Sequence, residues 1–158
     1  MQSSLSNYVH AEQGIVLKLS ETNLLLPDIM VEEMFWPTKV RNASDSPHWF
    51  LGYFDWDRGS LPLISFEKLN GLEGPGFSEG ASVAIINGSV NHLHLPFYGL
   101  LVDAGSELVP LKKTSIAPEF GKQSMRAEAC WTVVNNQSAV IPKVDWIEEH
   151  LLAYLLHR

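Results

Sequence analysis

The chain has 158 residues, of which 46% are hydrophobic and 18% charged, with a net charge of −7. That length supports one domain with a real core, and the acidic balance with scattered Lys and Arg excludes docking on a nucleic-acid backbone or an anionic lipid surface. A single cysteine, Cys130, excludes an internal disulfide, and the polar N-terminus with no apolar run approaching ~18 residues leads us to expect neither a signal peptide nor a membrane span, hence a cytoplasmic protein.

Residues 1–14 read as a flexible N-terminal tail, and 15–158 as a single domain. Ile15–Leu19 is a short strand, Thr22-Asn23 a turn, and Leu24–Leu26 a second strand closed by Pro27. Asp28–Met34 reads as one helical turn with Asp28 as its N-cap. Phe35-Trp36-Pro37 leads into a polar loop rich in Asn, Ser and Asp. Trp49–Phe66 (WFLGYFDWDRGSLPLISF) is the most distinctive stretch. It predicts a hairpin with Phe50–Trp56 as one arm, Leu61–Phe66 as the other, and Asp57-Arg58-Gly59-Ser60 as a polar turn. Phe66–Leu69 suggests a short helical turn.

Residues 70–80 carry Gly71, Gly74, Gly76, Gly80 and Pro75, which marks a loop and an expected internal boundary between two β subdomains. Val83–Ile86 follows as a strand, then a loop or loose hairpin over Asn87–Leu95. Phe97–Val102 and Glu107–Leu111 are expected to pair with each other. Glu128–Val134 and Ala139–Ile141 flank a turn at Asn135-Asn136-Gln137. The last residues form the one convincing helix, with Asp145 as N-cap, Glu148 completing a capping-box-like pair, and Trp146, Ile147, Leu151 and Leu155 on one face. Many short strands separated by glycine and proline turns, without long helices between them, predict a mostly β fold of the sandwich or barrel kind.

Chemistry finds little support. His92 and His94 would share one face of a strand, but no third metal ligand stands out. Glu32-Glu33 and Glu148-Glu149 are adjacent pairs that cannot face each other on a helix, so they form no acid/base couple. Cys130 lies in an apolar run beside Trp131, the setting of a small buried hydrophobe rather than a reactive thiolate. No nucleophile elbow, phosphate loop or dinucleotide fingerprint is present. An enzyme is not expected, nor any cofactor or metal. Of the tryptophans, Trp131 and Trp146 suit a core, whereas Trp56, beside a polar turn, is either core or a partner-facing anchor.

Several short motifs stand in a fixed order: Leu24–Pro27 then Val31-Glu32-Glu33; Pro47 with Trp49–Gly52; the polar turn; Leu61-Pro62-Leu63-Ile64; Gly99–Asp103; and Ser115–Pro118. The series resembles the CheW-like adaptor domains of bacterial chemotaxis, over about Ile15 to Leu156. The form GYFDWDRGSLPLISF looks closest to the ChpC-type CheW-like proteins of pilus chemosensory systems, which govern twitching motility. There is one departure. Counted from Gly52 to Pro62, the family's turn arginine falls on Asp57, and Arg58 comes one residue later.

The resemblance implies a CheW-like fold of two five-stranded, Src-homology-like β-barrels around a shared hydrophobic core, with a C-terminal α-helix and no catalysis. It implies a scaffold that couples methyl-accepting chemoreceptors to a CheA-type histidine kinase at membrane-associated arrays. Nucleic acid, membrane insertion and a small-molecule substrate are not implied. One barrel meets the kinase's regulatory domain, and the groove between barrels receives the receptor's helical hairpin. The residues implied in partner binding are Arg58, Asp57, Trp56, Asp55, Val31 and Glu32, with either Asp57 or Arg58 as the exposed charge of the turn. The rival reading is a small β-barrel whose aromatic residues line a pocket for a small-molecule ligand.

Overall fold

The computed structural model describes residues 13–89, 92–103, 106–110, 116–119 and 121–157. The expected tail lies outside the described residues up to residue 12, while Gln13 and Gly14 already belong to the first strand. Eleven strands are described: β1 (Gln13–Lys18), β2 (Asn23–Pro27), β3 (Val31–Phe35), β4 (Phe50–Trp56), β5 (Gly59–Ile64), β6 (Ser82–Asn87), β7 (Phe97–Val102), β8 (Ser106–Pro110), β9 (Ile116–Pro118), β10 (Glu128–Val134) and β11 (Gln137–Pro142). Two helices join them, α1 (Phe66–Leu69) and α2 (Val144–His157).

The strands form two sheets. One has six strands in the order β8-β1-β2-β11-β10-β9, the other five in the order β3-β6-β7-β5-β4. The chain begins in the first sheet, builds the whole of the second from β3 to β7, and returns to complete the first. The glycine-rich stretch 70–80 therefore does not divide the subdomains, because it links β5 to β6 inside the five-stranded sheet. The actual crossings are the 3₁₀ turn Asp28–Met30 and the passage from β7 to β8.

Strand periodicity explains the unbroken apolar runs. Successive side chains of a strand point to opposite faces, and here both faces are covered. In β1 and β2, Ile15, Leu17, Leu24 and Leu26 enter a core shared by the sheets, while Val16 and Leu25 fill the interior of their own sheet. In β6, Ala84 and Ile86 face the shared core, while Val83 and Ile85 face the inside of the five-stranded sheet with Phe54, Trp56 and Leu63. Gly99 of β7 faces that interior too. A Cβ there would approach the Phe54 ring to 2.5 Å, so only glycine admits this packing.

Three buried carboxylates tie the halves together. Glu67 of α1 accepts from the Ser20 hydroxyl in the β1–β2 turn at 2.6 Å. Glu128 of β10 accepts from Asn70 Nδ2, just after α1, at 2.8 Å. Glu148 of α2 accepts from Tyr98 Oη of β7 at 2.8 Å and from the Ser89 amide at 2.8 Å. Each carboxylate accepts from at least one donor of the other half, and hydrogen bonding is the condition under which burying one is tolerated.

Three expectations about local structure are corrected. Only Asp28–Met30 is helical, with Pro27 rather than Asp28 before it and no side chain capping it. Val31–Phe35 extends instead and pairs with β6 from Val31↔Ile86 to Phe35↔Val83, a long-range ladder that overrides the local helical pattern. Second, β7 and β8 do not pair with each other. β7 lies between β6 and β5, and β8 pairs with β1. Third, α2 starts at Val144, and the Lys143 carbonyl accepts from the Ile147 amide, so Asp145 is inside the first turn rather than at the cap. Glu148 is committed to Tyr98 and Ser89. The helix packs Val144, Ile147 and Leu151 into the shared core, and Tyr154 tilts against Phe50 at 4.7 Å; Trp146 is only half-buried.

Candidate functional site

The β4–β5 hairpin forms, but its turn is tighter than the sequence predicts: Trp56 pairs with Gly59, Gly59 and Ser60 already belong to β5, and only Asp57 and Arg58 are left in the loop. Gly59 takes φ +120°, a value that other residues rarely adopt, and nothing lies within 4 Å of its absent side chain. The glycine is there for the backbone reversal, not for close packing.

Strands β3 and β4 are the two edges of the five-stranded sheet, yet their side chains meet. The sheet curls until Phe35 of β3 stacks on Phe54 of β4, with ring centroids 6.0 Å apart. Trp56 Nε1 donates to Glu33 Oε1 at 3.1 Å. Arg58 Nη2 lies 3.4 Å from Glu32 Oε2. The Arg58 guanidinium sits 5.4 Å from the Trp56 ring centre and 5.0 Å from that of Phe97, at the start of β7. Such placement over ring faces favours a cation. Side chains thus close the sheet where no backbone ladder does.

This geometry assigns each residue named by the sequence. Trp56 is 7% exposed, so it is a buried anchor of the tip and not a surface contact. Its indole finds room because Leu61, Leu63 and Phe97 surround it and Glu33 satisfies its N–H. Arg58 is exposed but folded back on Glu32 and the two rings. Asp57 is exposed and makes no hydrogen bond or ion pair among the described residues. Asp55 is 74% exposed and pairs with Arg41 at 3.0 Å, while the same guanidinium donates to Ser60 Oγ at 2.6 Å. Val31 is half-buried against the shared core and does not join the tip, whereas Glu32 beside it does.

Sequence reasoning missed Glu33, Arg41 and Phe97 as members of the tip, and placed Ser60 in the turn without a partner. Arg41 comes from the polar loop before the hairpin, which adds a short bridge to Tyr53. Phe97 is separated from the hairpin by the whole of β6. No local pattern points from either residue to the turn.

The other candidate chemistry is not assembled. His92 and His94 lie exposed in the turn before β7 rather than on a strand, and His92 Nδ1 is 3.1 Å from the Gly88 carbonyl oxygen. Among the described residues no three His, Cys, Asp or Glu side chains converge on a metal position. Cys130 is half-buried in β10, and burial raises its thiol pKa, away from reactivity. The shared core holds a cavity of about 20 Å³ beside Leu24, Met30, Tyr98 and Ile147. That is room for about one water molecule, not for a small-molecule ligand. An open hollow of about 280 Å³ lies between Pro75–Ala81 and Leu101–Asp103, with Glu79 and Asp103 as its charged groups. No described helix is long and apolar enough to cross a membrane.

Comparison with known proteins agrees with this architecture. No curated protein matches the chain in sequence. A solved structure, the scaffolding protein TtCheW from Thermoanaerobacter tengcongensis, superposes with a TM-score of 0.65 at 20% identity, covering 82% of this chain and 87% of that one. At that identity the likeness speaks for the fold. The profile of the CheW-like domain matches residues 13–150, nearly everything from β1 into α2, and on that match the chain belongs to the CheW-like domain family.

Proposed function

We propose that the protein is an adaptor that couples chemoreceptors to a CheA-type histidine kinase by protein–protein contact, without turnover. The observation that carries this reading is the lip of the five-stranded sheet. Glu32, Glu33, Asp57 and Arg58 form an exposed, charged rim anchored by the buried Trp56, in a chain of the CheW-like family. Charged rims of this kind govern specificity and encounter in protein complexes. Where the chain crosses between sheets, Ile29 stands 72% exposed at the edge of the shared core. It offers an apolar contact for a receptor helix. The resemblance of the hairpin to ChpC-type proteins favours a pilus chemosensory system, with the protein recruited from the cytoplasm to membrane-associated receptor arrays.

The test is co-purification and pull-down with the cognate kinase and receptor. The wild-type protein is expected to bind at least one of them. Replacing Asp57 and Arg58 together by alanine is expected to weaken that association while leaving the protein folded, because both side chains are exposed and losing the Arg58–Glu32 pair costs about 1 kcal/mol or less. A folded wild-type chain that binds neither kinase nor receptor overturns the proposal.

A further inference from the structure

We infer that Asp57 is the charge by which the hairpin tip selects its partner, and that the partner meets it with a lysine or arginine side chain. This rests on reading the tip as a contact surface and adds the chemistry of what docks there.

The other charges at the tip have partners within this chain. Arg41 is held by Asp55 at 3.0 Å and by Ser60 at 2.6 Å. Arg58 is held by Glu32 at 3.4 Å and by the Trp56 and Phe97 rings. Glu33 accepts from the Trp56 indole. Each guanidinium therefore already has a carboxylate of this chain. Asp57 alone of these groups is exposed with no hydrogen bond or ion pair among the described residues. Carboxylates outnumber guanidiniums at the tip, so its field attracts cations, and an acidic partner group would have to displace Glu32 first.

The position is also stiff. Asp57 opens a two-residue loop whose flanks, Trp56 and Gly59, are paired, and Trp56 is buried. A short side chain on a fixed backbone loses little freedom on binding. A charge at an exposed rim acts mainly on the association rate and its salt dependence, less on dissociation.

The experiment measures association and dissociation rates with the purified regulatory domain of the cognate CheA-type kinase at low and high salt. Asp57→Lys is expected to slow association about 10-fold at low salt and much less at high salt, with dissociation changed under about twofold. Asp57→Asn is expected to fall between Asp57→Lys and the wild type. Replacing the facing kinase Lys or Arg by Glu is expected to restore the Asp57→Lys rate. Unchanged or faster association of folded Asp57→Lys, while Arg58→Ala is impaired, overturns this inference and leaves the tip as the contact surface. If neither variant is impaired, the tip is not the interface, and both statements fall. If the wild-type protein does not bind the domain, the proposed kinase contact itself is overturned, and this inference with it.

Discussion

Two hairpins of this molecule solve the same problem in opposite ways. In β4–β5, Trp56 gives its indole N–H to Glu33 and lies beneath the Arg58 cation. In β10–β11, Trp131 gives its indole N–H to Glu128 at 2.9 Å, and the Lys122 ammonium stands 4.0 Å over its ring. The parts are the same: a tryptophan, a carboxylate and a cation. The difference is where the carboxylate comes from. Glu33 belongs to the opposite sheet edge and is exposed, so the first set closes the sheet and leaves charge at its rim. Glu128 lies three residues before Trp131 and is 3% exposed, where it also accepts from Asn70 and the Met125 amide. The second set is spent internally. The turns agree with this. Asn135 and Asn136 take φ of 50° and 66° in a neutral two-residue loop, whereas Asp57-Arg58 puts both charges on the outside. The same three chemical groups give a structural joint when the carboxylate is buried and an exposed charged rim when it is not.

The largest expected effect falls on the first hairpin's anchor. Trp56→Ala is expected to cost about 3–5 kcal/mol, since it empties a buried site and releases the sheet edge held through Glu33. Urea unfolding measures this, and a loss under about 1 kcal/mol would break the picture of a closed lip. The two carboxylates are the sharper contrast. Glu128→Ala strands the buried Asn70 amide and removes the acceptor of the Met125 N–H and the half-buried Trp131 indole N–H, and is expected to cost about 3 kcal/mol. Glu32→Gln removes a partly exposed ion pair and is expected to cost under about 1 kcal/mol by the same measurement. Equal losses would abolish the distinction between joint and surface.

Between these lies the third buried carboxylate. Burial first, then the charge of Glu148 and its hydrogen bond, hold the Tyr98 phenol well above its usual pKa near 10. The unfolded phenol ionises near pH 10, while the folded one keeps its proton. The raised folded pKa therefore contributes stability that is complete below about pH 10 and is lost as pH rises toward the folded value. Tyr98→Phe is expected to cost about 1 kcal/mol near pH 7 and to flatten the alkaline decline, which thermal melts at pH 7 to 11 test. A decline of the same slope in Tyr98→Phe would assign it to other groups.

The hairpin was legible because everything it needs is local. Alternating large apolar residues, a polar turn and one glycine stand within a single stretch, from Phe50 to Ile64. The short helical turn after it was legible for the same reason, since Ser65 Oγ accepts from the Lys68 amide as an N-cap should. β3 was not legible. DIMVEEM carries a helical pattern, and only the ladder with β6 draws Val31–Phe35 into an extended chain. Trp56 was ambiguous because burial beside a turn depends on Phe97 and Glu33, which reach it only once the sheet has curled.

By itself the sequence determined the strand-rich class, the charged turn and the order of motifs that marks the family, because turn chemistry and apolar spacing act over a few residues. Only the tertiary structure decided which charges are free. Arg58 stands at the tip in the sequence, but Glu32, 26 residues away, and the Phe97 ring hold it back, leaving Asp57 outward. The physical reason is that sheet curvature, set by both packed faces at once, chooses which edges meet, and no short stretch of chain carries that information.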